Sequence, residues 1–222
     1  MECRKQKANG WKIRLNEEIR NSRNGVFVTL TFSNDSIKEL NEEIDKEITG
    51  YDRDNAIATL AIRRMLERYR KKYKTSVKHW LITELGHKGT ENIHINGIIF
   101  VNSRREGKRT VLKEDIIKQA WQYGWVYCGY SMGEKAVNYV VKYMMKPDND
   151  HKGFMPKIHT SPGIGANWEK RYDARLNTYN TKADKTDETY KFRNGTKSAL
   201  PIYYRNKIYN EDIREILWLV LS

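Results

Sequence analysis

Three side chains between Glu84 and Asn96 have the chemistry to bind a metal ion. His94 and Asn96 stand two residues apart in Asn92-Ile93-His94-Ile95-Asn96-Gly97-Ile98-Ile99-Phe100-Val101, a run that alternates and then turns apolar, as a strand entering a core does. Two apart on a strand, they share one face. Glu84 closes the preceding apolar run and is the candidate third ligand. Carboxylate, imidazole and amide oxygen make a mixed set that suits Mg²⁺ or Mn²⁺, with positions left for water or a phosphate oxygen. The lack of a neighbouring thiolate counts against structural zinc. A lone histidine facing a core is more often simply hydrogen-bonded, and that reading stays open here. His87, in the connection, is a rival ligand.

A second group lies about forty residues downstream, in Tyr139-Val140-Val141-Lys142-Tyr143-Met144-Met145-Lys146. Tyr139 and Tyr143 are four apart, hence on one helical face and about 6 Å from each other along the axis. Lys142 and Lys146 each follow a tyrosine by three residues. A phenol, with a reference pKa of about 10, is a poor nucleophile at neutral pH unless a cation or base helps it. A lysine alongside can stabilise phenolate or a leaving oxygen, and a metal can polarise a phosphate under attack. The plainer alternative is that the two tyrosines pack.

Several elements must position these groups. Spaced apolar residues over 3–23 predict a helix, and Val26 to Phe32, β-branched and aromatic, predict a strand. Ser33 to Gly50 reads as a polar surface excursion. Asp54 reads as the N-cap of a helix reaching Tyr73, with Ile57, Leu60, Ala61, Leu66, Tyr69 and Tyr73 on its apolar stripe. Val77–Glu84 and Ile93–Val101 read as a strand pair joined through Leu85–Asn92. A basic turn (Arg104, Arg105, Lys108, Arg109), a helix over Leu112–Tyr123, a strand over Trp125–Tyr130 and a helix from Glu134 to Lys146, stopped by Pro147, complete this part. Residues 148–153 and 179–197 read as loops, and Ile213–Leu221 as a helix docking on the core. Hairpins with intervening helices favour an α+β fold with a mainly antiparallel sheet over a doubly wound parallel one. The organisation expected is one domain over 1–147 and a C-terminal extension over 148–222.

With 222 residues, 39% of them hydrophobic, the chain can bury a proper core. Its net charge of +13 asks for a polyanionic partner, nucleic acid before membrane, because no apolar run has the length to span a bilayer. The N-terminus carries no signal-peptide pattern. Cys3 and Cys128 fit neither a disulfide framework nor a zinc pattern, so free thiols are expected. Arg63, Arg64, Arg68, Lys71 and Lys72 on one helix, with Arg104 and Arg105 in the basic turn, are the candidate DNA-binding residues. Trp11, Tyr123, Trp125 and Trp168 could stack on unpaired bases or fill the core.

Taken together, the metal-type strand and the Tyr-Lys helix resemble the HUH endonucleases, and more closely the rolling-circle replication initiator (Rep) proteins of single-stranded DNA microviruses. Phe27–Phe32 looks like the first strand motif of that family. Glu84-Leu85-Gly86 with His94–Phe100 looks like its metal motif, and Tyr139–Lys146 like its two-tyrosine helix. Ser161-Pro162-Gly163-Ile164-Gly165 and Leu200-Pro201-Ile202-Tyr203-Tyr204-Arg205 resemble its later signatures. The family normally carries a second histidine where this chain has Asn96. Its members often carry cysteines upstream of a segment like Glu2–Gln6, which suggests a short or truncated form.

The resemblance implies an HUH endonuclease fold, a central antiparallel sheet of about five strands flanked by helices, with His94 and Asn96 at its middle. It implies one divalent ion, Mg or Mn, on Glu84, His94 and Asn96. Tyr139 or Tyr143 would nick a single-stranded DNA origin through a 5′-phosphotyrosine link and later rejoin it, assisted by Lys142 and Lys146. A monomer in the cytoplasm of a bacterial host, without membrane contact and with a host helicase or polymerase as a further partner, completes the expectation. An HUH transposase or relaxase, or a non-catalytic single-stranded nucleic-acid binding protein, are the alternatives.

Overall fold

A computed structural model of the chain describes residues 4–86, 91–129, 133–145, 148–175, 177, 188–192 and 194–221. The amphipathic N-terminal stretch forms α1 (Arg4–Ser22), and the β-branched run after it forms β1 (Gly25–Leu30). The polar excursion expected after this strand is instead a helix, α2 (Asn34–Glu42). Ser33 caps it by accepting from the Ser36 backbone N–H at 3.2 Å, and Leu40 anchors it, fully buried. The stretch that follows is held by Arg53, whose guanidinium donates to the Asn41, Asp45 and Ile48 carbonyls, each at 2.9 Å. Its polarity reflects residues that bond to one arginine, not an absence of packing.

The next helix, α3 (Gly50–Tyr73), starts a turn earlier than Asp54 would have it, with Thr49 at its N-cap. It is followed by β2 (Lys78–Leu85) and β3 (Ile93–Phe100). The basic turn is a two-stranded ribbon of β4 (Arg104–Glu106) and β5 (Arg109–Val111). Then come α4 (Lys113–Ala120), β6 (Val126–Gly129), α5 (Glu134–Lys142) and β7 (Ile158–Thr160). A 3₁₀ turn (Ala166–Lys170), α6 (Tyr172–Arg175), β8 (Thr189–Lys191), β9 (Lys197–Ala199), α7 (Ile202–Ile208) and α8 (Glu211–Leu221) close the order. Among the described residues no helix is long and apolar enough to cross a membrane.

By contacts the chain divides into two compact units, residues 22–164 and residues 1–21 with 165–222. The first helix is therefore grouped with the C-terminal part, not with the 1–147 stretch proposed from sequence. Within the smaller unit Ile13 shares an apolar cluster with Trp168, Tyr190 and Tyr204, which is a contact between segments that no local pattern announces. Ile213 of α8 packs beside this cluster, while Ile216 and Leu219 of the same helix are exposed. Tyr204 stacks on Trp168 at 4.3 Å and donates its hydroxyl to the Gly165 carbonyl at 2.8 Å. Gly165 has φ +73°, and a Cβ there would meet the Arg14 carbonyl oxygen at 2.5 Å, so the glycine is required twice over. The last residue of one signature segment and a tyrosine of the other thus hold structure.

The larger unit is built on a five-stranded sheet in the order β6-β1-β3-β2-β7, every neighbouring pair antiparallel. The α+β class and the five-stranded antiparallel sheet are as expected, and β3 lies at the centre. One face carries Val26, Val28, Leu30, Leu81, Leu85, Ile93, Ile95 and Ile99 into the main core, where Ile57, Ala58, Ala61, Ile62 and Met65 of α3 cover them. On this side Thr83 donates to Asn55 Oδ1 and accepts from the Lys157 N–H, both at 2.7 Å, so a buried hydroxyl is satisfied twice.

Gly97 faces the same side. A Cβ there would stand 2.2 Å from the Trp80 carbonyl oxygen and 2.8 Å from Leu81 Cα. Both neighbours are backbone of the adjacent strand and cannot swing away. Gly97→Ala should therefore destabilise the larger unit by about 1–3 kcal/mol or more, read as a lower denaturant midpoint. An unchanged midpoint would contradict the close approach of β2 and β3.

Candidate functional site

Register brings the polar side chains together. Glu84 pairs with His94 across β2 and β3, Ile82 pairs with Asn96, and Thr29 of β1 pairs with Asn96 from the other side. Residues opposite one another in a sheet share a face, so Thr29, Glu84, His94 and Asn96 all project from the face opposite α3. His94 Nε2 lies 3.0 Å from Glu84 Oε2. Asn96 Nδ2 donates to the same carboxylate oxygen at 2.8 Å, and the Thr29 hydroxyl donates to Asn96 Oδ1, also at 2.8 Å. Asn96 is buried, while the Glu84 and His94 side chains are 16% and 22% exposed, so the cluster opens to solvent at its carboxylate and imidazole end.

These atoms fit a hard divalent cation with one adjustment. Donor separations of 2.8–3.0 Å match the edge of an octahedron with ligand bonds of about 2.1 Å. As hydrogen-bonded here, Asn96 turns its nitrogen toward Glu84, and nitrogen of an amide is not a ligand. Rotating the amide by half a turn puts Oδ1 there instead, and the Thr29 hydroxyl can accept from Nδ2 as readily as it donates to Oδ1. Among the described residues no group of three or more His, Cys, Asp or Glu side chains could hold a metal, so a three-ligand set depends on that amide. Cys128 is no rival: it is buried, it lies on the core face, and burial pushes its thiol up to about 11.

The tyrosine helix is shorter than expected. α5 ends at Lys142, and the chain tightens into turns in which the N–H groups of Tyr143, Met144 and Met145 each bond three residues back. Tyr143 keeps a helical backbone at the C-cap, so the two phenols still stand on one side, ring centroids 5.3 Å apart and edge to face. Tyr139 is 44% exposed and sits edge-on against Phe27 of β1 at 5.5 Å. Phe27 is two residues from Thr29, so this contact lays α5 on the face that carries the polar cluster. Tyr143 is held well above the ordinary tyrosine range, first by burial, then by its hydrogen bond with Tyr139 and by the charge of Glu84. Glu84 thus acts on the phenol of Tyr143, which ties the two halves of the candidate site together. Lys142 holds its Nζ over the Tyr139 ring at 4.0 Å and 5.4 Å from the Tyr143 centroid, against ring faces. Lys146 and His87 lie outside the described residues.

The basic residues form a second surface elsewhere. Arg63, Arg64, Arg68, Lys71 and Lys72 are on α3, which covers the core face of the sheet, behind the polar cluster. Arg104 reaches the same region, donating to the Tyr69 hydroxyl at 3.4 Å and lying over the Tyr73 ring at 4.9 Å. Arg64 is paired with Glu43 at 2.5 Å, Lys71 with Glu67 at 2.9 Å, and Lys72 with Gln119 at 2.6 Å. Arg68 is turned inward, donating to the Ala120 carbonyl at 2.9 Å and to the Tyr123 hydroxyl at 3.2 Å. Arg63 and Arg105 are exposed. Of the four aromatic candidates for base stacking, Tyr123 and Trp168 are core residues, Trp11 lies against Arg14 at 4.0 Å, and Trp125 is exposed.

Sequence reasoning missed Thr29, Phe27 and Tyr127. The signal was present as alternation: Phe27 and Thr29 are two apart on one strand, and Tyr127 follows Trp125 by two. Without the strand order there was no reason to choose that face.

A family model described as replication-associated protein ORF2 matches residues 25–148, which runs from the start of β1 past α5 and takes in every residue of the polar cluster and both tyrosines. Neither the curated proteins nor the solved structures contain a match. The match covers more than half of the chain, and this chain belongs to the replication-associated protein ORF2 family.

Proposed function

We propose that the chain is a rolling-circle replication initiator that nicks and rejoins single-stranded DNA at an origin by HUH-type chemistry. The observation that supports it best is the convergence of Glu84, His94 and Asn96 with Tyr139 and Tyr143 on one sheet face, with the Glu84 charge acting on Tyr143. A divalent ion, Mg or Mn, held by Glu84, His94 and the Asn96 amide oxygen, would supply Lewis-acid polarisation of the scissile phosphate. In the nicking step a tyrosine oxygen bonds to phosphorus and the bond to the 3′ oxygen breaks. The phenolic proton ends on the departing 3′-hydroxyl, and a 5′-phosphotyrosine remains. Rejoining runs in reverse, a 3′-hydroxyl displacing the tyrosine. The new ester retains the energy of the old one, so no nucleotide triphosphate is consumed.

The two phenols are not equivalent. Tyr139 is open to an incoming strand, whereas burial and the Glu84 carboxylate both work against a phenolate on Tyr143. We assign the first attack to Tyr139 and the closing transfer to Tyr143. Lys142, beside both rings, adds positive charge where phenolate forms. The family match makes replication the setting. Nothing in the geometry picks out a microvirus over a transposase or relaxase, and the cleavage of a phage-type origin against a hairpin end separates them.

One observation favours a second reading, that of a non-catalytic single-stranded DNA binding protein. The hydrogen bonds Thr29–Asn96–Glu84–His94 close among themselves, so the cluster is satisfied as it stands. Covalent adduct on a denaturing gel decides between them.

On an origin oligonucleotide, Tyr139→Phe should lose the initial adduct. Tyr143→Phe should form the adduct and lose strand transfer, and the double variant should form none. Adduct from the double variant would sink the assignment. Chelation with EDTA should stop nicking, and Asn96→His should tighten Mn²⁺ binding in a calorimetric titration by replacing an amide with an imidazole. Full activity in excess EDTA would remove the metal from the scheme. The α3 surface should contribute through phosphates, so Arg63→Ala with Arg105→Ala should lower affinity for DNA and reduce the slope of log affinity against log salt by about 0.9 per lost contact. An unaltered slope would exclude that surface.

A further inference from the structure

Trp125 and Tyr127 are large aromatic side chains left in water, 65% and 45% exposed. They are not on a loose loop. The Trp125 N–H donates to the Thr31 hydroxyl and the Thr31 N–H donates to the Trp125 carbonyl, both at 3.0 Å. Just before it, a Cβ on Gly124 would meet the Thr31 carbonyl oxygen at 2.5 Å, so the glycine lets the chain press against the end of β1. Tyr127 lies in β6, opposite Thr29. The fold therefore holds two aromatic planes at fixed positions in solvent. Burying them would be favourable, and they remain uncovered.

They also lead somewhere. Trp125 faces Tyr127 with ring centroids 6.0 Å apart and planes tilted by 32°. Tyr127 meets Phe27 at 6.2 Å, and Phe27 meets Tyr139 at 5.5 Å. The series of rings runs from the end strand of the sheet to the exposed candidate nucleophile, on the face that carries Glu84 and His94. Cations flank both ends: Lys118 lines the groove with Trp125 and Tyr127, and Lys142 lies over Tyr139.

We infer that Trp125 and Tyr127 form a stacking track for unpaired bases, which delivers a DNA single strand to Tyr139. It rests on the reading of the chain as a single-strand nicking enzyme and adds where the strand lies. A polynucleotide is the occupant because the chain carries +13 and the track is lysine-flanked. It is single-stranded because only unpaired bases expose a π face to a ring. An apolar protein partner would have no use for the flanking charge.

Anisotropy titrations of the full chain with a labelled mixed-sequence single strand, and with its duplex, test this. Trp125→Ala and Tyr127→Ala should each weaken single-strand binding by about 5- to 100-fold. The salt slope should not change, since no phosphate contact is lost. Trp125→Phe, which keeps a ring, should recover most of the affinity, and duplex binding should stay at the wild-type level. Wild-type affinity in both alanine variants, or an equal loss on duplex, or a flattened salt slope, would overturn the track. Adduct formation by wild type, run in parallel, keeps the two readings apart. Adduct with unchanged alanine affinities defeats the track alone. No adduct with weakened alanine affinities upholds it and defeats the chemistry.

Discussion

The β2–β3 register is the constraint on which the candidate site depends. Glu84 opposite His94 and Ile82 opposite Asn96 put carboxylate, imidazole and amide on one face within hydrogen-bonding distance. A slip of one residue would send each of these side chains into the core and bring Leu81, Leu85 or Ile95 out. Register is held from the opposite side, by aliphatic residues that have only one place to go and by Gly97, where no side chain fits. The chemistry on one face is thus positioned by packing on the other. It is also why a sequence as polar as this one keeps a near-continuous apolar run in its central strand.

Much of this was legible without coordinates. His94 and Asn96 at a spacing of two, and Tyr139 and Tyr143 at four, state which side chains share a face, because those spacings are the repeats of the two backbones. Local patterns also marked β1, β2, β3, β6 and the bulk of α3. Two kinds of information were missing. Thr29 and Phe27 enter the site only because β1 pairs with β3, a neighbour relation that no window of sequence contains. The helix α2 was hidden because its order comes from one buried leucine, a serine cap and a distant arginine, and not from a stripe. The grouping of the first helix with the last third of the chain was illegible for the same reason, since Ile13, Trp168, Tyr190 and Tyr204 meet only in space.

Charge was the least faithful guide to place. The α3 arginines and lysines pointed correctly to a polyanion by their number, but several of them hold the protein itself. Arg68 joins α3 to the end of α4, and Arg53 orders the segment before α3. The basic surface and the polar cluster lie on opposite faces of one sheet. A strand that served both would have to pass around an edge, and β6, with its exposed rings, is an end strand of the sheet.

The separations in sequence set an order of assembly. Glu84 and His94 are ten residues apart and belong to one hairpin, the kind of contact a chain makes early. The Thr29–Asn96 bond spans 67 residues, and it forms only once β1 has closed on β3. Phe27, the ring that seats Tyr139, arrives with the same strand. A partly folded chain can therefore own a carboxylate–imidazole pair without yet presenting a tyrosine beside it. For a protein that would break the template of its own replication, the half of the site that would activate a phosphate and the half that would keep hold of the cut end come under the control of a single late strand pairing.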